Sequence, residues 1–137
     1  VKSWSIPLSL HKGDFKNLVL YERIVYVQEV FAAKWLRHWG FSSLNNNHLI
    51  YADLLMIDRV LTAYGLFPPE IKRRLTNITI PDAGSYVYAG RLNVVKGFFG
   101  GYKGTFSWNA SDLPIFEKIN KIYSNGASEV YYYNGSP

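Results

Sequence analysis

Apolar residues between Leu18 and Trp39 recur at steps of three and four: Leu18, Tyr21, Val25, Ala32, Trp35, Leu36 and Trp39. That spacing is the period of an α-helix, where residues three and four apart share a face. Asp14 stands where a side-chain oxygen can cap the first free backbone N–H groups, and Gly40 where a left-handed residue stops a helix. A long helix over 16–39 is therefore predicted. Val19, Ile24, Val27 and Phe31 add apolar residues on its other side. Such a helix is expected to be buried on most faces, with Trp35 and Trp39 at a core or subunit seam. A competing reading takes 18–27 as a strand, since Val, Ile and Tyr are frequent there.

After a polar break at 44–47, a second helix is predicted over 48–64, capped by Asn47 and stopped by Gly65. Leu49, Ala52, Leu55, Met56, Val60 and Ala63 form its apolar face. Leu66-Phe-Pro-Pro69 reads as a stiff connector, and Pro69 suits the first turn of a short helix through Leu75. Beyond Thr76 the pattern changes to that of strands, at 77–80, 85–89, 91–95 and 102–108, punctuated by Gly90 and the glycines of 97–101. Pro114 opens a last predicted helix with Ile115, Phe116, Ile119, Ile122 and Tyr123 on one stripe, ended by Asn125-Gly126. A terminal strand follows at 129–133, with Tyr131 and Tyr133 on one face and Tyr132 on the other. The expected fold class is α+β. A helix-rich N-terminal half, about 14–75, packs with a small antiparallel β region and one further helix in about 76–137. The whole is expected to be a single domain, or a fragment of a longer chain.

Composition sharpens this picture. The 137 residues suit one core, and 48% hydrophobic against 18% charged argues against a disordered chain. Aromatic residues make up 17%, more ring than a small core hides, so some are expected to face a partner. Trp35, Trp39, Tyr131 and Tyr133 are the candidate subunit contacts, which makes other copies of the chain the expected partner. The formal net charge is +5, and Lys72-Arg73-Arg74 is the one basic run. These three residues are the candidate nucleic-acid contact, for weak and sequence-independent RNA binding. The alternative is that they only complement a helix C-terminus. Cysteine is absent, which removes disulfides, thiolate chemistry and Cys-ligated zinc. No uninterrupted apolar stretch reaches the roughly 18 residues of a bilayer span. No membrane partner and no secretion signal are expected, although three glycosylation sequons begin at Asn77, Asn109 and Asn134.

The candidate chemistry is sparse. Gly97-Phe-Phe-Gly-Gly-Tyr-Lys-Gly-Thr105 suggests a phosphate loop, but Gly104 separates Lys103 from Thr105 and rings crowd the would-be anion nest. A hairpin or bulged strand pair fits better. His11, His38 and His48 have no metal-ligand spacing, and Asp53 and Asp58 point apart on any one helix. No catalytic residue, metal or cofactor is expected.

Two stretches, 20–41 (LYERIVYVQEVFAAKWLRHWGF) and 51–70 (YADLLMIDRVLTAYGLFPPE), resemble the coat proteins of partitivirus-like double-stranded RNA viruses. The resemblance implies a helix-rich shell of coat-protein dimers around an RNA genome, in the virion or host cytoplasm. It carries over no catalytic residue. The functional expectation is a structural, self-assembling, coat-like segment. The alternative is a non-enzymatic binding module whose aromatic residues stack carbohydrate or single-stranded nucleic acid.

Overall fold

A computed structural model describes residues 25–41, 48–100, 107–109, 111 and 113–135. Helix α1 spans Val27–Trp35 and widens into a π-helical turn, Leu36–Gly40. The part of the predicted helix before residue 25 lies outside the described residues. Glu29, Ala32, Ala33 and Leu36 are buried, whereas Val27 and Phe31 are each 57% exposed and Trp39 is 65% exposed. The helix thus has one buried face, not burial all round. Gly40 is not the left-handed stop expected of it. It is small because a Cβ there would lie 2.8 Å from Leu36 Cδ1 and 3.2 Å from Tyr86 Cζ.

The predicted helix over 48–64 is replaced by strand β1 (Ile50–Ala52), a single turn α2 (Leu54–Met56) and a π-helical segment, Ile57–Thr62. All three residues of β1 are buried, since both faces of this strand are covered, and so it lacks the alternation that marks a half-buried strand. Asp53 then ends the strand and caps α2 by accepting the Met56 N–H at 3.0 Å. Pro69 does start a helical turn, but only a 3₁₀ turn, Pro69–Ile71, which leads into strand β2 (Lys72–Arg74).

Strand β3 (Ser85–Ala89) and the terminal strand β7 (Glu129–Tyr133) lie where the alternation places them. Other predicted strands do not form. At 77–80 the hydroxyls of Thr76 and Thr79 accept local backbone N–H groups, from Ile78 at 3.3 Å and Thr76 at 2.8 Å. Such local bonds compete with a ladder, and the segment is a turn with Ile78 and Ile80 on the surface. At 91–95 the chain makes a π-helical turn, Leu92–Lys96. Strands β4 (Phe98–Gly100) and β5 (Ser107–Asn109) form an antiparallel pair, as the glycine-rich run suggested. Residues 101–106 lie outside the described residues. The predicted last helix is a 3₁₀ turn, Pro114–Glu117, followed by strand β6 (Asn120–Ser124). Gly126, at φ 91°, turns β6 back on β7, and Asn125 Oδ1 accepts the Ser128 N–H at 2.9 Å across that turn.

The main sheet has the order β2-β1-β3-β7-β6, with β1 parallel to both β2 and β3 and the remaining pairs antiparallel. The fold is therefore a mixed sheet with short helical turns, not a helix-rich half beside an antiparallel one. Two strands from the supposed helical half are built into the sheet. One face of the sheet, carrying Ile50, Ala52, Tyr88 and Val130, packs on α1 and the 57–62 segment. The other, carrying Tyr51, Val87 and Ala89, packs on Phe99, Leu113 and Ile115.

Candidate functional site

Where β3 ends, the buried Glu29 carboxylate lies against Gly90, and the buried Asp53 carboxylate reaches Gly90 through Asn93. Glu29 accepts the Tyr26 N–H at 3.0 Å and the Arg91 N–H at 2.8 Å. Asp53 accepts the Met56 N–H, the Asn93 side-chain amide at 2.8 Å and the Gly100 N–H at 3.0 Å. Asn93 in turn accepts the Gly90 N–H at 2.7 Å. Burial pushes both carboxyls above their ordinary values, and the hydrogen bonds they accept offset this only in part. Every oxygen of the pair is engaged by the fold, so these groups tie α1, α2 and β4 to the end of β3. Neither is presented as a free acid or base.

Asn93 also reaches the surface side of this network, where a cleft of about 320 Å³ opens. Its walls include Phe99, Phe116 and Tyr131, with Asn93 and Glu129 as polar members. Phe116 stands edge-on to Tyr131, with centroids 5.3 Å apart, and is tilted against Phe99 at 5.2 Å. The Tyr131 hydroxyl donates to Glu129, whose other oxygen pairs with Lys121 at 2.8 Å. Burial first, then the Glu129 contact, holds the Tyr131 hydroxyl far above the usual tyrosine range, so it stays a donor. The volume sits at the small end of the roughly 300–1,000 Å³ typical of ligand clefts. A ring face at this corner, with the Glu129 carboxylate beside it, can stack an apolar ring face and accept from hydroxyls at its edge.

A second cleft, of about 360 Å³, is lined by Arg37, Phe41, Phe67, Pro68 and Ile71. Arg37 donates to the carbonyls of Gly65 at 3.0 Å and Leu66 at 2.9 Å, and its guanidinium lies 5.9 Å from the Phe67 ring centre.

The residues singled out from the sequence are dispersed. Trp35 is half-buried and stacks on Tyr123 at 4.7 Å, while Trp39 is on the surface against His38. Tyr131 and Tyr133 share the sheet face of the Phe99 cluster, and Tyr132 lies opposite, against Tyr86. Lys72, Arg73 and Arg74 occupy an edge strand, not a helix end, so alternation sends Arg73 away from the other two. Lys72 donates to the Thr62 hydroxyl, and Arg73 to the Glu70 and Lys72 carbonyls. His48 bonds the Gly84 carbonyl through Nδ1 at 2.7 Å, and His11 lies outside the described residues. No group of three or more His, Asp or Glu able to hold a metal occurs among the described residues. Of the sequons, Asn77 lies exposed in its turn. Asn93, Phe116 and Glu129 had no sequence signal as site residues, because chain segments far apart in sequence bring them together.

A family described as predicted membrane protein (DUF2206) matches residues 5–131. The match spans both stretches that resemble partitivirus-like coat proteins, and the family is not a capsid family. The coat-protein resemblance is thereby corrected, and with it the expectation of a virion structural protein of an RNA virus. No curated protein and no solved structure matches. Among the described residues, no helix is long and apolar enough to cross a membrane.

Proposed function

This chain belongs to the DUF2206 family of predicted membrane proteins, and from that premise we propose that it is a non-catalytic carbohydrate-binding domain held outside the bilayer. The observation that carries this reading is the corner formed by Phe116 and Tyr131, with Asn93 and Glu129 at its polar side. The C–H face of a sugar ring is apolar and slightly positive, and it matches the negative face of an aromatic ring. Its hydroxyls need acceptors, and the Glu129 carboxylate keeps lone pairs beyond those that Tyr131 and Lys121 engage. Placement outside the bilayer is supported by the sheet, whose two faces are covered by side chains of this same chain. Binding without catalysis is supported by Glu129, which is already engaged by Tyr131 and Lys121.

Titration calorimetry of the chain against neutral oligosaccharides tests the reading. Saturable binding is expected, weakened about three- to tenfold in Phe116→Leu, which keeps apolar volume but loses the stacking ring. No saturable binding to any neutral sugar, or equal affinity in Phe116→Leu, would overturn it.

A further inference from the structure

Just beyond the edge strand β2 the chain makes a tight turn that contains Asn77-Ile78-Thr79, an acceptor triplet for N-linked glycosylation. The other two triplets are placed differently. Asn109 is half-buried and paired with Phe98 across β4 and β5, and Asn134 already has a partner. Asn77 is exposed, and among the described residues its side-chain amide makes no hydrogen bond. The bonds that hold its turn all close within 74–79. The Thr79 N–H donates to the Thr76 carbonyl at 3.2 Å, and the Thr76 and Ile78 N–H groups donate to the Thr79 and Thr76 hydroxyls. The Thr79 hydroxyl reaches the Arg74 carbonyl at 3.4 Å. Bonds this local let the triplet open into an enzyme's active site without disturbing a strand pair.

The surroundings are those that a bulky hydrophilic group would cover. Ile78 and Ile80, on either side of Thr79, are 82% and 83% exposed, the most exposed large apolar residues among the described ones. The bond from Thr79 to Arg74 sets them at the end of β2, whose outer side has no strand neighbour in the sheet. An open sheet edge with apolar residues beside it is a template for association with other chains.

We propose that Asn77 carries an N-linked oligosaccharide, which shields Ile78, Ile80 and the open edge at β2. The proposal rests on the placement of the domain outside the bilayer and not on the sugar cleft. In the transfer, Asn77 Nδ2 forms a bond to the anomeric carbon of an oligosaccharide carried through phosphate on a polyprenol lipid. The bond from that carbon to the phosphate oxygen breaks, and the lipid phosphate leaves with its electron pair. One amide proton passes to a base of the transferase. The attached glycan is bulky and strongly hydrated, and it keeps other chains from the edge.

Peptide mass spectrometry of the full-length protein isolated from its native cells tests this. The peptide that contains Asn77 is expected to carry an oligosaccharide mass, and Asn77→Gln expressed in the same cells should lose the matching gel shift. Thr79→Ala should lose it with Asn77 still present, and Thr79→Ser should keep it, which separates a lost acceptor from a misfolded chain. Asn77→Gln should also aggregate at lower protein concentration, while its thermal midpoint and its affinity for neutral sugars stay those of the unglycosylated wild-type chain. The two proposals therefore fail separately. An Asn77 peptide found only unmodified, a glycan on Asn109 or Asn134 in its place, or a modification that survives Thr79→Ala would overturn the proposal.

Discussion

Gly90 is the residue on which the buried network closes. A Cβ there would stand 2.1 Å from Met56 Sδ and 2.5 Å from Glu29 Oε2. Glu29 cannot swing aside without giving up the Tyr26 and Arg91 N–H groups. Gly90→Ala should therefore destabilise the fold by about 2–3 kcal/mol, measured by urea unfolding, as overpacking of a closed site does. Glu29 itself gives a pH signature. Burial raises its folded-state pKa above the ordinary 4.5, so the folded chain binds this proton more tightly than the unfolded chain. Its contribution is present at low pH and is lost as pH rises through the folded-state value. Stability of the wild type relative to Glu29→Gln should accordingly increase as pH falls from neutral towards 4.5. A gap between the two unfolding curves that stays constant over that range would contradict the raised value. Neither residue was legible as a partner of the other. The sequence shows Glu29 as a polar position in an apolar helix, and only the packing of α1 against the end of β3 shows what it binds.

Between elements, the bond from the Tyr88 hydroxyl to the Glu29 carbonyl, at 2.5 Å, links the middle of β3 to α1 through the core. Tyr88→Phe leaves that buried carbonyl short of a partner. It should cost about 1–2 kcal/mol and speed amide exchange in α1 more than in β3 or β7. Equal exchange rates throughout α1 in the two proteins would show that the bond contributes nothing. Legibility at this scale followed strand length and exposure. β3 and β7 have five residues each and read correctly from the sequence. β1 and β2 have three each, too few to establish a period of two. The apparent helical face from Leu49 to Met56 arose because buried strand residues, a capping aspartate and a buried turn happen to follow at helical steps. Likewise the stripe from Ile115 to Tyr123 is one 3₁₀ turn plus a strand at the sheet edge, where pairing with β7 overrides helical spacing.

Across the molecule, the two apolar clusters lie on opposite faces of the same strands. Losing either one exposes the sheet that supports the other. Thermal unfolding should therefore be a single cooperative transition, with tryptophan fluorescence and far-UV circular dichroism giving the same midpoint. Separate midpoints would mean that the Phe99–Leu113–Ile115 cluster opens independently of α1. By itself the sequence determined the apolar content, the absence of cysteine chemistry, the two long strands and the surplus of aromatic rings, all of which are local or compositional properties. The parallel pairing of β1, the network that links Glu29 and, through Asn93, Asp53 to Gly90, and the Phe116–Tyr131 corner were decided only by tertiary structure. Each joins segments tens of residues apart, and no period or spacing along a chain encodes which distant strand will lie alongside.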